Sequence, residues 1–352
     1  MKITTENAIL PPLYNRWMDE LLKQPIPNES EATCQDCPMC SRDSQKNKSE
    51  YVFDVETKCC TYIPEIPNFL AGQILLDGDP EFARGRAAFE DQMENHLIAT
   101  PLGVSASAEY WAMYRHATAN SAFGQTRGLK CPYFFADEGG KCGIWRHRNS
   151  RCATWFCKYV RGSVGVIFWK YMDQLLSETE RLLSQWCILQ LDIGQQALEL
   201  LFPPPPSERV SSNRELFWGK WRGREREFFI ECSKLVANLS WQEVEQQCGS
   251  ELKVIARLTQ KAFVDLYTFQ IPSALRIGSW KKVLPLSADV YRIWTYSQYD
   301  PMDLPRPIFD CLYYFEGRTT QDALETIFLE KGFRLDDQEL RKLTDFGILT
   351  SA

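Results

Sequence analysis

The placement of the cysteines limits what this chain can fold into more than any other feature. Nine of the thirteen lie between Cys34 and Cys157, in four local groups. CQDCPMC holds Cys34, Cys37 and Cys40, and Cys59 is followed directly by Cys60. Cys131 and Cys142 bound CPYFFADEGGKC, and RCATWFC carries Cys152 and Cys157. The odd total excludes complete internal pairing. The stretch MKITTENAILPPLYNRWMDELLKQ lacks the basic end and apolar run of an export signal. A cytoplasmic location is therefore expected, and disulfides rarely persist there. Clumped thiols in such a chain read as metal ligands, and all nine are assigned to that role. Buried core thiols would not clump in this way.

Thiolates suit zinc, copper(I) and iron–sulfur clusters and suit magnesium or calcium poorly. The expected cofactor is an iron–sulfur cluster or zinc. A two-residue gap lets one turn aim two sulfurs at an ion, while distant pairs meet only on folding. CQDCPMC has the gaps that open a bacterial ferredoxin run, but its fourth cysteine must come from elsewhere. Nine thiols exceed one tetrahedral site and approach two. His147 reads either as a zinc ligand or as a surface residue between Arg146 and Arg148. Arg146, Arg148 and Arg151 read either as donors to thiolate sulfurs or as solubilising charge. Cys187, Cys232, Cys248 and Cys311 fall within helical patterns and read as small core residues.

CPYFFADEGGKCGIWRHRNSRCATWFC resembles the second half of the YkgJ-type cysteine-cluster family, a zinc- or iron-chelating domain. The resemblance rests on Cys142, Ile144, Trp145, Arg148, Cys152 and Cys157. Asn149 stands where that family usually has proline. The family's first half is a Cys-x-x-Cys followed closely by Cys-Cys; here CQDCPMC and Cys59-Cys60 are separated by eighteen residues. Which of Cys34, Cys37 and Cys40 are ligands is left open by that gap.

The length of 352 residues suits two or three domains. A mainly α chain is expected, with a cysteine-rich metal-binding domain over 1–162, a helical domain over 163–300 and a winged-helix-like module over 301–352. From Val164 to Phe202, apolar residues recur at three- and four-residue steps, the mark of a helix or helix pair. The run PPPP at 203–206 stops it. KWRGRERE alternates its basic residues with glutamates beside Trp218 and Trp221, so it reads as a solvated helix face. SWQEVEQQCG carries a capping box, Ser240 with Glu243.

The last 45 residues read as three helices and a strand. Gly317, Gly332 and Gly347 end the helices; Thr319 or Thr320 and the pair Asp336–Glu339 begin two of them. This pattern resembles a winged helix-turn-helix, especially the PqqD-like peptide-recognition domains of peptide-modifying enzymes. Residues 308–352 hold nine Asp/Glu against five Lys/Arg, a net charge of −4. That sign opposes phosphate contacts, and nucleic acid is not expected as a partner. A membrane is not expected either, because no apolar stretch reaches about 18 residues.

The expected function is metal binding tied to modification of a peptide or protein, which would be the partner. Flagellin lysine N-methylases are similar in combining such cysteine boxes with protein modification, which implies methyl transfer as one chemistry. The alternatives are a non-catalytic zinc-stapled interaction protein and a metal carrier or redox sensor. GSVGV at 162–166 is too short for a nucleotide loop. No serine–histidine–acid set or paired-carboxylate motif stands out, and no catalytic residue is assigned.

Overall fold

A computed structural model describes residues 9–43, 46–95, 97–202 and 214–352. The proline run at 203–206 and His96 lie outside the described residues. The protein is mainly α. Its described residues group into two compact units, each built from three separated stretches. The first comprises Met1–Pro27, Phe53–Trp155 and Met172–Leu258; the second comprises Asn28–Val52, Phe156–Tyr171 and Thr259–Ala352. This interleaving differs from the three consecutive blocks expected from the sequence. Position 162 falls inside a stretch of the second unit, within the helix Gly162–Gln190. Texture changes mark where local pattern changes along the chain, whereas packing gathers stretches that are distant in sequence.

The first unit is helical around a small antiparallel sheet, in which Gly103–Ser105 pairs with both Ile66–Pro67 and Ile98–Thr100. The helices Asn68–Leu76 and Glu225–Val236 pack closely in it. At Gly72 a Cβ would sit 1.9 Å from the Phe229 carbonyl oxygen, so glycine alone permits the backbones to approach this closely. Trp17 of the helix Pro12–Leu22 is buried and donates its indole N–H to Leu239 O at 2.8 Å. The 164–202 pattern forms the expected helix pair, Gly162–Gln190 and Gln195–Leu201. The aromatic stretch after it is not one continuous helix. A 3-10 segment, Arg214–Trp221, breaks at Gly219 with φ 49°, and the helix Glu225–Val236 follows. Trp218, Phe228 and Phe229 still pack edge to face, while Arg224 pairs with Glu227 on the solvated side. Cys187, Cys232 and Cys248 are buried in this unit.

The core of the second unit gathers Leu275, Ile293, Leu304, Cys311, Leu312, Phe315, Ala323, Ile327, Leu340 and Ile348. The helices Thr320–Lys331 and Asp337–Asp345 begin where their caps predict. Thr319 accepts from the Asp322 N–H, and Asp336 with Glu339 closes a reciprocal capping box. The final strand Leu349–Ser351 pairs with Leu275–Ile277, which the sequence did not mark as a strand. A three-stranded meander was also unmarked: Lys282–Pro285, Val290–Trp294 and Met302–Pro305. Its strands are short and its first strand is wholly exposed, so alternation is weak there.

Gly72→Ala tests the close helix crossing. Helix propensity alone would stabilise by about 1 kcal/mol. Overpacking is expected to win and destabilise by about 1–3 kcal/mol, read as a lower urea midpoint.

Candidate metal centre

In the first unit, backbone docking brings three cysteine-bearing stretches together. The Cys131 N–H donates to Cys60 O at 2.8 Å, which joins the second group to the third. Upstream, the loop carrying Cys59 and Cys60 is pinned where Asp54 N–H and the Thr57 hydroxyl both donate to Gly124 O, at 2.8 and 3.0 Å. Lys58, the residue before the pair, has φ 48°, a strained conformation for a side-chain-bearing residue. Its ammonium is directed onto Gly139 O at 3.3 Å, in the turn of the next hairpin. That hairpin pairs Phe134–Phe135 with Lys141–Cys142 and places Cys142 opposite Phe134. Gly143 then meets Gly85 of the helix Ala83–Asn95. A Cβ on Gly85 would lie 1.7 Å from Gly143 O, so this contact fixes where the Cys142 end of the hairpin rests.

Cys152 enters on a five-residue helix, Ser150–Thr154. Asn149 caps it: the side-chain oxygen accepts from the Cys152 N–H at 3.1 Å, and the side-chain amide donates to Glu65 O at 3.1 Å. A proline at 149 would supply neither bond. Arg148 is buried and stacks 3.3 Å over the Trp145 ring. It donates to the carbonyl oxygens of Trp145, Cys152 and Ile9 at 3.2, 3.2 and 2.9 Å. Arg146 and Arg151 are instead spent on carboxylates, each at 2.8 Å from Asp79 and Asp173.

Cys59, Cys60, Cys131, Cys142 and Cys152 form one electrostatic set. A hydrogen bond with Cys59 favours the Cys60 thiolate, but burial and the charges of Cys131, Cys142 and Cys152 outweigh it and push that thiol up. Burial, then Cys142 and Cys152, holds Cys131 well above the ordinary thiol range. Burial and Cys142 do the same to Cys152, against the opposing pull of Arg148. Cys60, Cys131 and Cys152 therefore resist ionisation through burial and neighbouring thiols, an arrangement that a cation among them would reverse. Tyr133, fully buried, feels both Cys131 and Cys142, and its hydroxyl has no hydrogen-bond partner among the described residues.

A carboxylate that the sequence reading missed stands beside Cys152. Glu180 is buried and accepts from the Tyr14 hydroxyl, the Ser150 N–H and, at 2.8 Å, the Ser150 hydroxyl. Burial pushes its carboxyl up to about 7 despite those bonds. Within an amphipathic helix, a single Glu on the buried stripe was the only sequence signal available.

The remaining sequence candidates fall outside this set. Cys34, Cys37, Cys40 and Cys157 belong to the second unit, so the fourth cysteine group is divided between the units. Among the described residues, no three His, Cys, Asp or Glu side chains stand at metal-holding geometry. His147 is neither at the surface nor among the thiols: it is largely buried and bonds Asp77 at 2.8 Å. Burial lowers its imidazole below the usual range, and its hydrogen bond keeps the Asp77 carboxyl low in spite of burial. A neutral ring facing a carboxylate is the result. No helix among the described residues is long and apolar enough to cross a membrane.

No family model matches this chain, and neither a curated protein nor a solved structure does.

Glu180 sets a pH dependence whose sign follows from its raised carboxyl. Its stabilising contribution is whole below the unfolded value, about 4.5. That contribution is lost as pH rises through about 7, because the native state holds a proton the unfolded state has released. Subtracting the stability profile of Glu180→Gln from that of the wild type is expected to leave a fall across this window. A flat difference would show that Glu180 is ordinary.

Proposed function

We propose that this is a metal-binding cysteine-cluster protein whose centre is built by Cys59, Cys60, Cys131, Cys142 and Cys152 and holds zinc or an iron–sulfur cluster. One observation carries the reading: backbone docking joins the Cys59–Cys60 loop to the Cys131–Cys142 hairpin, and Cys60, Cys131 and Cys152 each feel neighbouring thiols. The donor set fits the group. It is all sulfur, soft and without carboxylates, which suits zinc or iron–sulfur and not calcium or magnesium. Loading requires the side chains to close on the ion and release their protons to solvent. Arg148 offsets thiolate charge at Cys152, and Asn149 fixes the direction of the helix that bears it.

The centre serves modification of a peptide or protein, and a lysine N-methylase-like activity is the specific form that the sequence resemblance suggests. A bound cluster or zinc would supply electron transfer or Lewis acidity there. The partner-binding side of this reading draws on the second unit. The helices Thr320–Lys331 and Asp337–Asp345, with the strand pair Leu275–Ile277 and Leu349–Ser351, support a winged-helix-like module. In the meander, Lys282–Pro285 pairs on one side only among the described residues, and Val283, Leu284 and Leu286 are exposed. An extended peptide can add to such an edge through main-chain bonds.

A non-catalytic zinc-stapled interaction protein is the second reading. It is favoured by the sulfur count, since more than four thiols leave no open coordination position for substrate.

Anaerobic purification with metal analysis and an absorption spectrum separates the two. An iron–sulfur centre gives a brown protein with iron and acid-labile sulfide; a zinc staple is colourless. Alanine at Cys131, Cys142 or Cys152 is expected to lower metal content and weaken metal affinity by tenfold or more, while Cys187→Ala leaves both unchanged. Full metal content in all three variants would refute the proposal.

A further inference from the structure

We infer that the second unit carries a metal site of its own, formed by Cys34, Cys37, Cys40 and Cys157 and suited to one zinc ion held as a structural clamp. The inference rests on the reading that the clumped thiols of this chain bind metal, and it goes further by dividing them into two sites of different make-up. The division of the chain is the first ground. Cys152 and Cys157 are only five residues apart, yet Cys157 belongs with the stretch 28–52 and Cys152 does not.

The second ground is the way Cys157 is bracketed. Ahead of Cys34, buried Glu29 accepts from the Val160 N–H at 2.6 Å and from the Trp169 indole at 2.7 Å. After Cys40, Lys46 O accepts from the Lys158 ammonium at 3.2 Å. The segment beginning at Cys157 is thus fastened to both flanks of the loop that bears the other three thiols. Asn47 folds that loop back on itself, donating to Met39 O, Ser41 O and Tyr51 O at 3.4, 3.2 and 2.9 Å. Tyr51 packs edge to face on Tyr299, which in turn lies within the electrostatic reach of Cys157.

The loop itself has the form of a metal knuckle. Cys34, Cys37 and Cys40 are spaced by two residues each, and the last turn is a 3-10 segment, Pro38–Cys40, closed by Cys40 N–H onto Cys37 O at 3.1 Å. Spacing of this kind lets neighbouring sulfurs turn toward one point, with the fourth ligand coming from a distant stretch. Among the described residues the four side chains have not closed to metal-holding geometry, so loading requires them to rotate onto the ion. Four thiolates on one zinc carry a net charge of −2. The Lys158 ammonium, on a residue only 8% exposed, lies next in sequence to Cys157 and offsets part of it. With four sulfurs and no fifth, the site closes tetrahedrally and has no open position, which is the structural class. Loading by zinc releases the four thiol protons to solvent and involves no change of oxidation state.

The test uses the full chain loaded with zinc alone, then a chelator, with iodoacetamide labelling read at each cysteine by mass spectrometry. Cys34, Cys37, Cys40 and Cys157 are expected to lose protection together, at a rate at least tenfold different from that of Cys59, Cys60, Cys131, Cys142 and Cys152. Cys187, Cys232, Cys248 and Cys311 stay unlabelled and report that the fold persists. Cys157→Ser is expected to lose one equivalent of zinc while the first-unit thiols remain protected, and Cys157→His to regain it. Should the four thiols label as fast with zinc as without it while the other five are protected, the second site is wrong and the first stands. A single release phase for all nine also overturns it. Protection of none of the nine overturns the second site and the zinc form of the first.

Discussion

Thiols brought close in a buried place set the terms for the first unit. Burial makes ionisation of Cys131 and Cys152 costly and neighbouring thiols add to it, while at Cys60 burial and Cys131, Cys142 and Cys152 together outweigh the hydrogen bond with Cys59. A chain has no folding reason to assemble such a set, because protonated thiols gain little from one another beyond ordinary apolar contact. Coordination reverses the sign, since a cation turns mutual repulsion into shared attraction and contributes on the order of 10–16 kcal/mol in small zinc domains. The cysteine loops carry little regular secondary structure, so in the proposed metal-bound state such a term would be large beside what their own burial supplies.

The surrounding structure directs these thiols mainly through backbone contacts. Cys131 is docked by its own N–H on Cys60 O, Cys142 by a hairpin that stops against Gly85, and Cys152 by a helix capped at Asn149. Side-chain charge is rationed around them. Arg146 and Arg151 face carboxylates, and buried Arg148 donates to carbonyl oxygens, that of Cys152 among them. Burial pushes the carboxyl of Glu180, which bonds Ser150 two residues before Cys152, up to about 7.

The second unit is organised differently. An apolar core built from the C-terminal helices and strands is joined by buried carboxylates that satisfy backbone donors: Glu29 at Val160 and Asp300 at Tyr159. Both are pushed up by burial. The Glu29 contact fixes the segment that begins at Cys157 to the stretch just ahead of the first cysteine group. The same unit therefore contains an ordinary hydrophobic module and a loop region that depends on polar contacts.

Periodicity and capping signals fixed most helices, down to Ser240–Glu243 and Asp336–Glu339, because those signals act within a few residues. The cysteine clumps were equally legible, as was the burial of Cys187, Cys232, Cys248 and Cys311. Short strands such as Lys282–Pro285 and Leu275–Ile277 were not, since pairing depends on partners distant in sequence. Nor could spacing reveal that Cys152 and Cys157 are assigned to different units, that His147 turns to Asp77, or that Glu180 bonds Ser150 just ahead of Cys152. Local chemistry is written into neighbouring residues, whereas grouping across a hundred positions is decided only when burial and backbone hydrogen bonding choose which stretches meet.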